Sequence, residues 1–197
     1  MDYDFKIGFW HTFGTHGNEP PKSIIERKEQ EISRNENGWT LWSFQSRKTL
    51  KAWREEIQRL GDPPVLVFCS HSPKAKNPAS PTSCCTRYKF NVEDEWKTIP
   101  ETVKVPHPFP PGKTDASAFI VQKIFAPGGV FSLPPPQWFS ERKGCQWFSS
   151  DVPTRPGETM IRPGGNEQAR TLRFCAVLEL KAPYLAYVGV EPPDELL

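Results

Sequence analysis

Between residues 38 and 72, GWTLWSFQSRKTLKAWREEIQRLGDPPVLVFCSHS, the apolar positions change spacing from period 2 to helical and then to a continuous run. Trp39 to Phe44 alternates Trp39, Leu41 and Ser43 against Thr40, Trp42 and Phe44. This is a strand with large apolar surface on both faces, so one face needs a core and the other a partner or ligand. Ser46 is the expected N-cap of a helix carrying Leu50, Trp53, Ile57 and Leu60 on one side, stopped by Gly61. Its opposite side, Lys48, Lys51, Arg54, Glu55, Glu56 and Arg59, reads as a solvated mixed-charge surface. Val65 to Cys69 is a buried strand, and Ser70-His71-Ser72 brings polar groups out at its end, where scaffolds present chemistry.

The same reading extends along the chain. Lys6 to Trp10 is the first strand, leading into a loop with His11 and His16. Ser23-Ile24-Ile25-Glu26 has capping-box spacing for a polar surface helix running to about Ser33. Ser72 to Cys85 is a Pro-, Ser- and Lys-rich loop, with Lys74 and Lys76 within it, followed by an amphipathic strand over Thr86 to Asn91. A proline-stiffened excursion holding Trp96 precedes a buried strand at Ala118 to Ala126. A loop with Gly128-Gly129 and Pro134-Pro135-Pro136 then introduces Trp138-Phe139, and Cys145-Gln146-Trp147-Phe148 is a short aromatic run. Thr171 to Lys181 and Tyr184 to Val190 are the last two strands. This pattern predicts an α+β fold: a curled mixed β-sheet or barrel with two or more flanking helices and long Pro-rich loops. It forms a single domain over 1–197, with loop insertions at about 73–85, 92–116 and 127–145.

Charge narrows the partner. The chain has 25 Lys+Arg against 23 Asp+Glu, less basic than a duplex-backbone binder; if nucleic acid is the partner, a pocket for one base fits this balance better than a long phosphate track. It has 22 prolines and seven tryptophans. A small core seldom hides that many indoles, each N–H needing an acceptor, so some of them are expected to line a pocket. Five cysteines without a CxxC pair read as reduced thiols, with neither a disulfide framework nor a zinc ribbon. The N-terminus is acidic and unlike a signal peptide, and no apolar run reaches bilayer length. The expectation is a soluble intracellular protein, cytoplasmic or nuclear, with no membrane partner and no cofactor.

Two further patterns bear on chemistry. Thr154-Arg155-Pro156-Gly157 and Ile161-Arg162-Pro163-Gly164 each place an Arg before a Pro-Gly turn, which offers either a clamp for phosphate or carboxylate or simply two tight turns. No P-loop, GxGxxG or HExxH occurs. His11, Thr12, His16, Glu19 and His71 are candidate reactive groups, but no spacing sets a nucleophile, a base and an orienting carboxylate together.

The stretch Trp39, Phe44-Gln45-Ser46-Arg47-Lys48-Thr49-Leu50, Gly61-Asp62 and Phe68-Cys69-Ser70-His71-Ser72 resembles the EVE group of PUA-like domains. In that group a Trp-bearing strand, a Tyr-Gln-Ala-Arg-Asn-x-Leu pattern, a Gly-Asp turn and a strand ending Phe-Tyr-His-Ser follow in this order. The chain departs from the pattern in a longer Arg-to-Gly-Asp separation, in Pro63-Pro64, and in Cys69-Ser70 where one aromatic stands. The resemblance implies a PUA-like fold and a nucleic-acid reader that holds a modified or flipped base in an aromatic pocket. On that reading Trp10, Trp39, Trp42 and Phe44 stack, Ser43, Gln45, Ser70, His71 and Ser72 read the base edge, and Arg47, Arg155 and Arg162 meet phosphate. Trp39, Ser43, Arg47, His71 and Ser72 follow from the resemblance alone. The alternatives are a small ASCH-like amidohydrolase acting on modified nucleosides, or a protein-interaction scaffold.

Overall fold

The chain is described from a computed structural model covering residues 5–16, 19–44, 50–71, 84–108, 115–125, 130–149, 158–165 and 170–191. It runs β1 (Ile7–Phe13), α1 (Pro21–Arg34), β2 (Thr40–Phe44), α2 (Leu50–Arg59), β3 (Val65–His71), β4 (Arg87–Lys89) and β5 (Lys97–Thr98). It continues with β6 (Ala116–Phe125), β7 (Val130–Leu133), β8 (Pro136–Ser140), β9 (Gln146–Phe148), β10 (Glu158–Pro163) and β11 (Arg170–Gly189). The strands join in the order β2–β6–β11–β3–β1–β10–β8–β9, with β4 and β7 attached to β11 and β5 to β4. Among the described residues β1 and β3 form the one parallel pair. No pairing among them joins the two ends β2 and β9. The expected α+β class with a mixed sheet and two helices is present, but the sheet does not close into a barrel.

Local chemistry explains the element boundaries. Pro20 and Pro21 start α1 with their fixed φ, and no side chain caps it, so Ser23 lies inside the helix rather than at its N-cap. Gly61 ends α2 at φ +78°, where a side chain would be strained. Gly8 lets β1 approach β3: a Cβ there would lie 2.6 Å from the Leu66 carbonyl oxygen. Pro136 is the first residue of β8, a position that needs no ladder N–H. The region around 127–145, expected as a loop, therefore contains β7 and β8. The two final strands expected from the sequence are one strand, β11, whose pairing with β6 shifts register between Leu180 and Leu185.

Both faces of the sheet are covered. On the helix side Phe9, Phe44, Trp53, Phe119 and Met160 pack with Leu50 and Ile57. At the β2–β6–β11 end, Trp39, Leu41, Ile120 and Val188 are roofed by Ile99, Val103 and Val105 from the excursion before β6. Around β3 and β10, Phe68, Trp138, Ile161 and Phe174 form a third cluster with Trp10 at its margin. The unpartnered second face expected for β2 is thus core.

Helix α1 is not the surface helix its polarity implies. Lys28 and Glu31 are buried, and Lys28 Nζ donates to Glu31 Oε2, Leu41 O and Lys104 O at 2.7 Å each. Arg27 reaches Glu19 through Nε at 2.8 Å and through Nη2 at 3.0 Å, and Glu31 through Nη1 at 2.7 Å. These bonds from Arg27 hold the Glu19 carboxyl below the usual carboxylate range. No helix among the described residues is long and apolar enough to cross a membrane.

Candidate functional site

Parallel pairing of β1 with β3 sets Thr12 beside Ser70 and Trp10 beside Phe68. Because side chains alternate along a strand, Trp10, Thr12 and Ser70 share one face near the carboxyl ends of both strands. Trp10 is half-buried, and its indole Nε1 donates to Ser70 Oγ at 3.0 Å. The Thr12 and Ser70 hydroxyls are also 3.0 Å apart. Trp10 leans on Trp138, ring centres 5.5 Å apart, and meets Phe174 edge-on at 6.0 Å. Trp138 is 5% exposed and its Nε1 finds no acceptor among the described residues. One fixed indole, two hydroxyls and a buried N–H with bonding capacity left over therefore meet at the end of these two strands.

The other face of β1 holds a closed polar cluster. Trp42 Nε1 donates to His11 Nε2 at 3.2 Å, so Nε2 carries the lone pair and Nδ1 the proton. His11 Nδ1 lies 3.0 Å from Glu158 Oε1, and both side chains are buried. Phe13 stacks on His11 at 5.8 Å, and Phe119 and Trp42 meet its ring edge-on. A histidine oriented by a carboxylate is the outline of a general base, but here the nitrogen facing away from the acid is taken by an indole N–H. The cluster orients side chains inside the core. Trp42→Phe is expected to cost about 1–3 kcal/mol, because it leaves a buried imidazole acceptor unsatisfied; the urea midpoint checks this.

The remaining expected residues are dispersed. Phe44 is buried against Phe119 and Trp53 on the helix side. Trp39 is buried in the cluster at the β2–β6–β11 end, edge-on to Tyr88. Ser43 Oγ donates to Pro106 O at 2.7 Å. His71 is exposed at the end of β3, beside Phe13 in register. Of the proposed aromatic set, Trp42 shares a cluster with Phe44, whereas Trp10 and Trp39 lie in two others. Arg162 lies within β10 rather than on a turn. Gln45, Arg47, Ser72 and Arg155 fall outside the described residues, as do Ser46, Lys74 and Lys76.

No family model, curated protein or solved structure matches the chain. Its own geometry therefore carries the functional reading. Among the described residues no three His, Cys, Asp or Glu side chains group to hold a metal ion. Glu158 and Trp138 were not expected as site residues: Glu158 lies 147 positions from His11, and no local pattern marks such a partner. Thr12 was legible as a candidate reactive group beside His11, not as the partner of Ser70.

Proposed function

We propose that the chain is a nucleic-acid-binding module that takes an unstacked or modified base against Trp10, at the carboxyl ends of β1 and β3. The observation that carries this is the half-buried Trp10 with its N–H tied to Ser70 and the Thr12 hydroxyl alongside. The tie fixes the plane of the indole, so a base stacking on it loses little side-chain freedom. Hydroxyls, which both donate and accept, lie at the ring's edge. His71, exposed at the end of β3, is a further candidate for the base edge.

The resemblance to EVE-type PUA-like domains rests on the stretch that forms β2, α2 and β3, and we extend that assignment to this chain as part of the proposal. The near balance of charge agrees with a site that holds one base and few phosphates.

Tryptophan fluorescence during titration with short single- and double-stranded oligonucleotides, bearing plain or modified cytosine and adenine, tests the reading. Saturable quenching that favours one modified base is expected. Trp10→Ala should weaken binding about 5- to 150-fold, in line with about 1–3 kcal/mol per stacked base. Thr12→Val, which keeps the bond between Trp10 and Ser70, should alter base preference more than affinity. No quenching by any oligonucleotide sinks the proposal.

A further inference from the structure

We propose that Arg162 is an oxyanion receptor, and that under the nucleic-acid reading above, on which this extension rests, it takes a backbone phosphate. Arg162 follows Ile161 in β10, and Ile161 packs in the cluster that Trp10 borders. The alternation of side chains therefore puts Arg162 on the opposite, α2-bearing face of the sheet.

Two restraints fix its guanidinium, and a further bond steadies one of them. Its Cζ lies 4.3 Å over the Trp147 ring, so the indole supports the cation. Its Nε donates to Gln137 Oε1 at 2.6 Å, across the pairing of β10 with β8. Gln137 is in turn steadied by its Nε2, 3.4 Å from Ser149 Oγ. The fork formed by Nη1 and Nη2 has no hydrogen bond or ion pair among the described residues.

Two other half-buried arginines differ, and a third, Arg87, which also lies over an indole, has its Nη2 paired with Asp115 at 3.6 Å. Arg27 gives Nε, Nη1 and Nη2 to Glu19 and Glu31, and Arg54 gives Nη1 to Asn91 and Nη2 to Phe90 O and Leu185 O. These are struts whose Nη1 and Nη2 donors the fold already uses. Arg162 is oriented through one N–H and a ring face, and among the described residues its bidentate edge is left over. That edge has the geometry that matches two oxygens of phosphate or carboxylate.

The neighbouring carboxylate does not take this role. Glu56 accepts from Trp147 Nε1 at 3.0 Å and pairs with Arg59, so it holds the edge of the indole on which Arg162 rests. The site reads as a layered stack of Glu56 at Trp147's edge, Trp147, and Arg162 on its face. The turn joining β8 to β9, Glu141-Arg142-Lys143, carries one net positive charge in the same hairpin.

The test uses the full chain and side-chain ¹⁵N NMR, with the Arg162 Nε–H signal identified by its loss in Arg162→Gln. Inorganic phosphate, acetate and a short single-stranded oligonucleotide are titrated in separate arms. A saturable shift of the Arg162 and Trp147 side-chain signals is expected with phosphate and with the oligonucleotide. In Arg162→Lys, which keeps the charge but not the fork, phosphate binding should fall at least about tenfold. In the oligonucleotide arm Arg162→Gln should lower the slope of log K against log salt by about one, while quenching of Trp10 persists.

A response to phosphate without oligonucleotide binding would keep the receptor for free oxyanions and discard the nucleic-acid reading. Quenching by the oligonucleotide with an unmoved Arg162 signal and an unchanged salt slope would discard the receptor and keep the base site. A larger response to acetate than to phosphate would overturn the phosphate assignment. Native backbone spectra for both variants show that the comparison is between folded proteins.

Discussion

Glu31→Ala is expected to destabilise the protein by about 3–5 kcal/mol, enough to move a domain of ordinary stability close to its unfolding midpoint. Glu31 is 4% exposed and Lys28 only 2%, so the ammonium it faces has no route to bulk water. Glu31 Oε2 accepts from Lys28 at 2.7 Å and also from the Thr40 hydroxyl, and Oε1 accepts from Arg27 Nη1 at 2.7 Å and from the Lys104 backbone N–H at 3.2 Å. One carboxylate thus ties α1 to β2 and to the segment that roofs Trp39 and Leu41. Removing it leaves Lys28 with carbonyl and hydroxyl oxygens but no countercharge, and leaves the Lys104 N–H without its acceptor. The penalty comes from stranding a buried charge, so it exceeds the net worth of the ion pair itself. Urea unfolding at pH 7 measures it. A loss below about 1 kcal/mol, the scale of an exposed pair, would mean that water enters the network.

How much of this was legible in the sequence depends on how far apart the cooperating residues lie. From Thr40 to His71 the fold follows local periodicity: alternation gave β2, helical spacing gave α2 with its stop at Gly61, and a β-branched run gave β3. Where partners are remote the sequence is silent. The polar run in α1 reads as solvated because nothing nearby shows that Thr40 and the Lys104 carbonyl will close over Lys28. The two apolar faces of β2 were visible, but alternation cannot tell a face covered by Ile99, Val103 and Val105 from one awaiting a ligand. Proline stands at two of the differences for one reason. A missing N–H forbids only a ladder bond, and Pro136 at the start of β8 and Pro183 at the register shift in β11 lie where the pairing tolerates its loss. For the candidate site, Trp10 and Ser70 were nominated from sequence, whereas their adjacency required the parallel register of β1 on β3.

The same buried lysine sets the expected pH dependence. Burial pulls the Lys28 ammonium down from 10.5 to about 8, against the pull of Glu31. Between those values the unfolded chain holds a proton that the folded chain has released. Stability should therefore rise with pH across this window, by up to about 3 kcal/mol at one kcal-scale step per unit. The buried thiols act in the opposite sense. Burial pushes Cys85 up to about 12 and raises Cys69 well above its ordinary value, so in the folded state they keep protons that unfolded thiols lose above about pH 9. Their contribution is full below pH 9 and declines above it. A raw stability curve mixes the two, but the difference between wild type and Lys28→Met does not, since both carry the same thiols. Urea unfolding from pH 7 to 10 should show wild type gaining on Lys28→Met steadily from about pH 8. A flat difference would mean that Lys28 keeps its proton throughout, and the charge inside α1 would then be a fixed strut rather than a titrating one.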